Sequence, residues 1–119
     1  PALRAALLSI AGSDGTMATR KGKYWEDLVA LHLYREFVSR NAGTLRYDPT
    51  KGGADFILQL LSGKEIAIEV GSGEKGTAQV AQTMKERKIN RGLVISSREL
   101  ALSPDEKILL IPFKYFLLM

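Results

Sequence analysis

Two carboxylates stand on what read as neighbouring strands. Asp55 lies in Ala54-Asp55-Phe56-Ile57-Leu58, and Glu69 lies in Ile66-Ala67-Ile68-Glu69-Val70-Gly71. A three-residue loop, Leu61-Ser62-Gly63, with glycine at the left-handed position, is a common hairpin connection. It pairs Leu60 with Lys64 and, further along, Asp55 with Glu69. Phe56, Leu58, Leu60, Ile66, Ile68 and Val70 then share one face, and Asp55, Ile57, Gln59, Glu65, Ala67 and Glu69 share the other. A two-residue loop would mix these sets, so the pattern favours the first register. Two like charges directly opposed destabilise a sheet. A divalent cation, a basic neighbour or a raised pKa must compensate. Magnesium suits such a pair, because it takes one or two carboxylates together with water and phosphate oxygens. The plainer alternative is a carboxylate at a frayed hairpin end, solvated and idle.

Two further polar residues bear on the pair. Glu26 lies between Trp25 and the apolar positions Val29 and Leu33, at the edge of a helix's buried face, from which it could complete an acidic cluster. The competing role is an ordinary boundary glutamate paired with Lys23, worth little to stability. Gln79 falls in the first turn of the helix after Glu69, where it could orient a water or a phosphate. Its competing role is that of a surface glutamine.

The elements that must hold these residues are legible from periodicity. Pro1 to Ile10 predicts a short helix, with Leu3, Ala6, Leu7 and Ile10 at helical spacing, and Ala11 to Thr16 a Gly/Ser/Asp loop. Trp25, Leu28, Val29, His32, Leu33 and Phe37 mark one face of a helix from about Lys21 to Arg40. Asn41-Ala42-Gly43 is a helix stop, with Gly43 expected in the left-handed conformation. A short strand, Thr44 to Tyr47, leads to a turn at Asp48-Pro49-Thr50-Lys51-Gly52-Gly53. The hairpin strands Ala54 to Leu60 and Lys64 to Val70 follow. A glycine-rich turn, Gly71 to Gly76, opens a helix from Thr77 to Lys88. Gly92 to Ser96 is a strand, Ser103-Pro104-Asp105-Glu106 a turn, Lys107 to Ile111 a last strand, and Pro112 to Met119 a terminal turn of helix or coil. The order is α-α-β-β-β-α-β-β, a mixed α/β fold around one sheet flanked by helices.

At 119 residues the chain is one domain. Having no cysteine, it has no disulfides, zinc-thiolate sites or cysteine nucleophiles, which fits a cytoplasmic protein. A single histidine, His32, cannot build a histidine-rich metal site and reads as a core or boundary residue. The net charge of +4 permits contact with DNA or RNA without demanding it. The longest apolar run, Ile108 to Met119, is broken by Pro112 and Lys114 and is too short to span a bilayer, so no membrane partner is expected. A start at Pro1 rather than methionine suggests a fragment, the C-terminal domain of something longer.

Taken together, these features resemble the PD-(D/E)xK nuclease-like, or restriction-endonuclease-like, fold. More narrowly they resemble the C-terminal domain found in many prokaryotic AAA+-type ATPases. The similarity runs through Pro1 to Leu8, Gly22-Lys23-Tyr24-Trp25-Glu26-Asp27-Leu28-Val29, Gly53 to Leu58, Ile66 to Val70, and Ile111-Pro112 ahead of Phe116-Leu117. The resemblance implies that Glu26, Asp55 and Glu69 are acidic metal positions for magnesium, and that Gln79 is the polar position on the following helix. It also implies an N-terminal ATPase module in the same chain, and it leaves room for a homo-oligomer. No Gly-x-x-x-x-Gly-Lys-Ser/Thr phosphate loop occurs in this sequence.

One departure bears on activity. The lysine that usually follows the glutamate by two residues stabilises developing phosphorane charge or helps activate water. Here that position is Gly71, and Lys75 is the nearest lysine able to reach back. The expectation is a degenerate site, weak or inactive in cleavage, serving nucleic-acid binding or assembly. The alternatives are an active magnesium-dependent endonuclease with a displaced lysine, and a non-catalytic protein interaction domain.

Gly71-Ser72-Gly73-Glu74-Lys75-Gly76 also matches the dinucleotide-binding G-x-G-x-x-G between a strand and a helix. The preceding strand carries Glu65 and Glu69, however, and Ser96-Ser97-Arg98 stand where an acidic ribose contact belongs. The chain is also too short for two mononucleotide-binding halves, so these glycines read as a strand-to-helix turn. Basic residues gather at Arg20, Lys21 and Lys23, and again at Lys85, Arg87, Lys88 and Arg91. If both groups border the acidic site they could track a nucleic-acid backbone. The second group equally suits a helix C-terminus.

Overall fold

The computed structural model describes residues 17–71, 73 and 75–119; the expected helix over Pro1–Ile10 and the loop to Thr16 lie outside them. Helix α1 (Met17–Leu33) widens into a π-type turn over Tyr34–Val38. Strands β1 (Gly43–Tyr47), β2 (Phe56–Leu60) and β3 (Glu65–Val70) follow, then helix α2 (Ala78–Arg87) and strand β4 (Arg91–Ser96). A two-residue strand β5 (Ala101–Leu102), strand β6 (Ile108–Pro112) and a single-turn helix α3 (Phe113–Phe116) complete the chain. The six strands form one sheet in the order β1-β2-β3-β4-β6-β5. Strand β2 is antiparallel to both of its neighbours, β1 and β3; β3, β4 and β6 are parallel, and β5 returns antiparallel on β6. This is the mixed sheet flanked by helices that the pattern predicts.

The hairpin adopts the register argued from the apolar pattern. Phe56 pairs with Ile68 and Gln59 with Glu65, and the Leu60 N–H donates to the Lys64 carbonyl at 2.9 Å. Gly63 takes φ +80°, the left-handed position that three-residue loops reserve for glycine. The sheet's two faces bury two cores. Phe56, Leu58, Ile68 and Val70 pack with Val29 and Leu33 of α1 and Phe116 of α3, and Trp25 stacks on Phe113 with centroids 4.2 Å apart. Ile57 and Ala67, on the opposite face, pack with Val80 and Met84 of α2 and with Val94 of β4. His32 meets Phe116 edge-on at the margin of the first core, the boundary role expected of it.

Helix α1 ends differently from the expectation. Its last turn spreads to five-residue closures, with the Ser39 N–H donating to the Tyr34 carbonyl and Ala42 to Phe37. Asn41, not Gly43, takes the left-handed conformation, at φ 54°. Asparagine tolerates that region because its short side chain can bond locally. Gly43 serves another purpose: a Cβ there would stand 2.6 Å from the Gln59 carbonyl oxygen, so the close β1–β2 approach needs glycine. Strand β5 was hidden by its brevity, in a stretch that reads as loop. Among the described residues no helix is long and apolar enough to cross a membrane.

Candidate functional site

The register brings Asp55 and Glu69 to one end of the β2–β3 ladder, on the face covered by α2. Asp55 sits one residue before β2, half-buried, and its Oδ2 accepts from the Val70 N–H at 2.8 Å. Glu69 is 1% exposed. One of its oxygens, Oε1, accepts from Lys75 Nζ at 2.6 Å, while Oε2 is buried with no hydrogen-bond partner among the described residues. Lys75 Nζ also donates to Gln79 Oε1 at 3.1 Å, and Gln79 Nε2 reaches the Gly53 carbonyl at 3.4 Å. Gln79 therefore ties the lysine to the segment that delivers Asp55.

The position of Lys75 depends on Gly71. A Cβ built on Gly71 would collide with Lys75 Cγ and stand 2.8 Å from its Cδ. The lysine stem lies across the bare glycine and carries its ammonium back over the end of β3. The motif position thus lacks a lysine in sequence while a lysine occupies its neighbourhood in space. The glycines consequently form no open cradle for a pyrophosphate at Gly71, because the Lys75 stem fills the place.

The charges act on one another. Burial pushes the Asp55 carboxyl above its usual range, opposed by the Val70 hydrogen bond and reinforced by the Glu26 charge. Burial likewise raises Glu69; the Lys75 hydrogen bond lowers it and the Asp55 charge raises it further. For Lys75, burial alone would lower the pKa, but the hydrogen bond to Glu69 and the charges of Glu69, Asp55 and Glu26 outweigh it, and the pKa is raised. The ammonium therefore stays protonated at neutral pH. It can donate hydrogen bonds and stabilise negative charge.

Glu26 does not join the strand pair. Its carboxylate binds Lys23 Nζ at 2.7 Å, the boundary role weighed against the acidic one. Its charge reaches Asp55 and Glu69, yet among the described residues no group of three or more histidine, aspartate or glutamate side chains is gathered for a metal. The candidate donors are thus Asp55 and Glu69. The orphaned Glu69 Oε2 is an oxygen that a hard cation would satisfy, so these two residues fit magnesium with water or phosphate oxygens filling the remaining positions.

A network that the sequence reading did not anticipate braces this site. The Asp48 side chain, wholly buried, accepts from the Thr50 N–H at 3.1 Å, Thr83 Oγ1 at 2.9 Å and Arg87 Nη2 at 2.8 Å. Burial would raise its pKa, but these hydrogen bonds outweigh that and lower it. Thr83 Oγ1 in turn accepts from the Ala54 N–H at 2.8 Å, fixing the backbone immediately before Asp55 onto α2. The visible signal was Asp48 ahead of proline, an aspartate placed to bond its own turn. Its long-range partners on α2 left no local trace. Arg87 is thereby spent on Asp48 and is not free for a nucleic-acid backbone.

The second basic group also lies elsewhere than a shared site would need. Arg91 pairs with Ile66 at the start of β3, whereas Glu69 and Gly71 lie at its end. Lys85, Lys88 and Arg91 therefore occupy the opposite pole of the sheet. Near the carboxylates stands Arg98 instead, whose Nη1 donates to the Lys75 carbonyl at 3.4 Å.

No family model matches the chain, and no solved structure matches it. An uncharacterized protein of Methanocaldococcus jannaschii is 42% identical over 98 residues, covering 82% of this chain and 20% of the relative. The chain thus spans about a fifth of the length of the curated relative it matches.

Proposed function

We propose that this chain is a nuclease-like domain of the PD-(D/E)xK kind, in which Lys75 takes the place of the lysine that Gly71 lacks. Asp55 and Glu69 would hold a magnesium ion, which when bound supplies Lewis-acid stabilisation of a phosphoryl oxygen and an activated water. Lys75, protonated and held by Gln79, would donate to the developing charge on the phosphate, the electrostatic role that preorganised donors play best in a partly desolvated site. Gly53 and the Asp48–Thr83 network hold the backbone that presents Asp55. The observation that carries this reading is Lys75 Nζ at 2.6 Å from Glu69 Oε1, reached across Gly71. The tie to an ATPase module and to DNA or RNA belongs to the same proposal and rests on the resemblance. The relative in which this region is one fifth of the chain leaves room for such a module.

Moving the lysine tests this reading. The purified chain is incubated with plasmid, single-stranded DNA and RNA in magnesium or manganese, beside Lys75→Ala and the double variant Gly71→Lys/Lys75→Ala. Cleavage by the wild type, lost by at least tenfold in Lys75→Ala and recovered in the double variant, is the expected result. Cleavage indifferent to Lys75 would remove the lysine from the mechanism.

One observation favours a second reading. The Lys75–Glu69 ion pair is already closed, so the lysine can serve simply to neutralise a buried carboxylate in a non-catalytic interaction domain. In that case Lys75→Ala lowers stability, because it strands a buried charge, and no substrate is cleaved by any variant.

A further inference from the structure

We propose that the pole of the sheet opposite the carboxylate site is a docking surface for a nucleic-acid phosphate backbone. Lys64 of the β2–β3 loop, Lys88 at the end of α2 and Arg91 at the start of β4 line one polar cleft of about 540 Å³, with Ser62 and Asn90 as neutral donors. A second cleft beside it shares Lys88, Ile89 and Asn90 and adds Lys85 and Lys107. The attraction of a helix C-terminus for cations accounts for Lys85 and Lys88. It does not account for Lys64, Arg91 and Lys107, which arrive from three other places in the chain.

Among the described residues Lys64, Lys85 and Lys88 make no ion pair, and Arg91 Nη1 is bonded to a carbonyl, that of Glu106, at 2.9 Å. The carboxylates that line the clefts are engaged. Glu65 pairs with Arg46, and Asp105 accepts from Ser103 Oγ and from the Lys107 N–H. The result is a run of five cations, Lys64, Lys85, Lys88, Arg91 and Lys107, against two lining carboxylates, Glu65 on Arg46 and Asp105 beside Lys107, an excess of positive charge that a bound polyanion would relieve. Two adjoining clefts with a shared wall suit an extended phosphodiester chain better than a single small phosphate. Arg91 is in register with Ile66, three residues before Glu69, so at roughly 3.3 Å per residue along β3 this surface runs from roughly 10 Å from Glu69 at Arg91 to roughly 17 Å at Lys64. It is therefore a separate site, and it does not require that the carboxylates cleave anything.

The test is fluorescence anisotropy of a labelled random-sequence DNA duplex, titrated in EDTA over a range of salt. Wild type is set beside Lys64→Glu/Lys88→Glu, Lys114→Glu as a remote control and Asp55→Asn, with thermal melts to confirm folding. The expected result is at least tenfold weaker binding by the double variant, and a salt slope shallower by about 2 for two lost phosphate contacts. Lys114→Glu should bind within twofold of wild type. Displacement by inorganic phosphate at matched ionic strength would overturn the proposal in favour of a small-anion site. Binding to phosphatidylserine vesicles with none to the duplex would overturn it in favour of a membrane surface. Equal affinity of the folded double variant and wild type would also overturn it. Duplex binding tightened more than twofold by Asp55→Asn, where loss of a metal-free carboxylate relieves its repulsion of phosphate, would instead place the backbone at the carboxylates. Magnesium binding and cleavage are read in separate assays, so the nuclease reading can fail while this surface stands.

Discussion

At the residue scale the central fact is the division of labour on Glu69, with Oε1 on Lys75 and Oε2 on no partner among the described residues. An unsatisfied buried polar atom costs about 1–3 kcal/mol, more when charged, a cost that a bound cation would relieve. The raised pKa values of Asp55 and Glu69 give that cost a pH signature. A carboxyl whose folded pKa exceeds its unfolded one contributes stability that is fully present below the unfolded pKa. That contribution is lost as pH rises through the folded value. The metal-free chain should therefore lose stability from this pair as pH climbs out of the ordinary carboxylate range. Asp55→Asn, which keeps an acceptor for the Val70 N–H, should flatten that loss and raise the neutral-pH melting temperature in EDTA. Melting curves of both proteins across pH check this; a lower melting temperature for Asp55→Asn at every pH would contradict it.

At the element scale the site depends on what α2 holds in place. Gly92 lets the helix lie close on β4: a Cβ there would collide with Val80 Cγ1 and stand 2.8 Å from Met84 Sδ. Gly92→Ala should cost about 1–3 kcal/mol through overpacking, measured by denaturant unfolding. Thr83→Val removes the acceptor for the Ala54 N–H and a donor to Asp48, two groups buried or part-buried. It should cost about 1–3 kcal/mol. Because Ala54 precedes Asp55, it should also weaken metal binding by the still-folded protein, and Thr83→Ser should restore both. Gly71→Ala acts differently. It displaces the Lys75 stem and should reduce any lysine-dependent cleavage as far as Lys75→Ala does, with little effect on the second core.

At the scale of the whole molecule, much of the fold and less of the site could be read from the chain. The hairpin register was legible because both faces are buried, one against α1 and one against α2, and a one-residue slip would have exchanged Phe56 and Ile68 with Asp55 and Glu69. The helix faces were legible because Trp25, Val29, Leu33 and Phe37 repeat at helical spacing. What escaped was whatever rests on contacts distant in sequence. Asp48 reads as a turn residue, and nothing nearby announces Thr83 or Arg87. Two-residue β5 has too little pattern to register. Asn41 takes the left-handed position expected of Gly43: the helix closes in the wide π-type turn at Tyr34–Val38, and the chain turns two residues earlier than the pattern suggests. Gly71 was legible as a missing lysine, but the path of Lys75 across it is a property of the folded loop.

Calorimetric titration of the purified chain with manganese at neutral pH, beside Asp55→Asn and Glu69→Gln, tests the central claim most directly. The account predicts saturable binding to the wild type, at least tenfold weaker in each variant. It also predicts binding that weakens as pH falls and the two carboxylates take up protons. Saturable binding that survives both substitutions, or none in the folded wild type, would contradict a metal site built on Asp55 and Glu69.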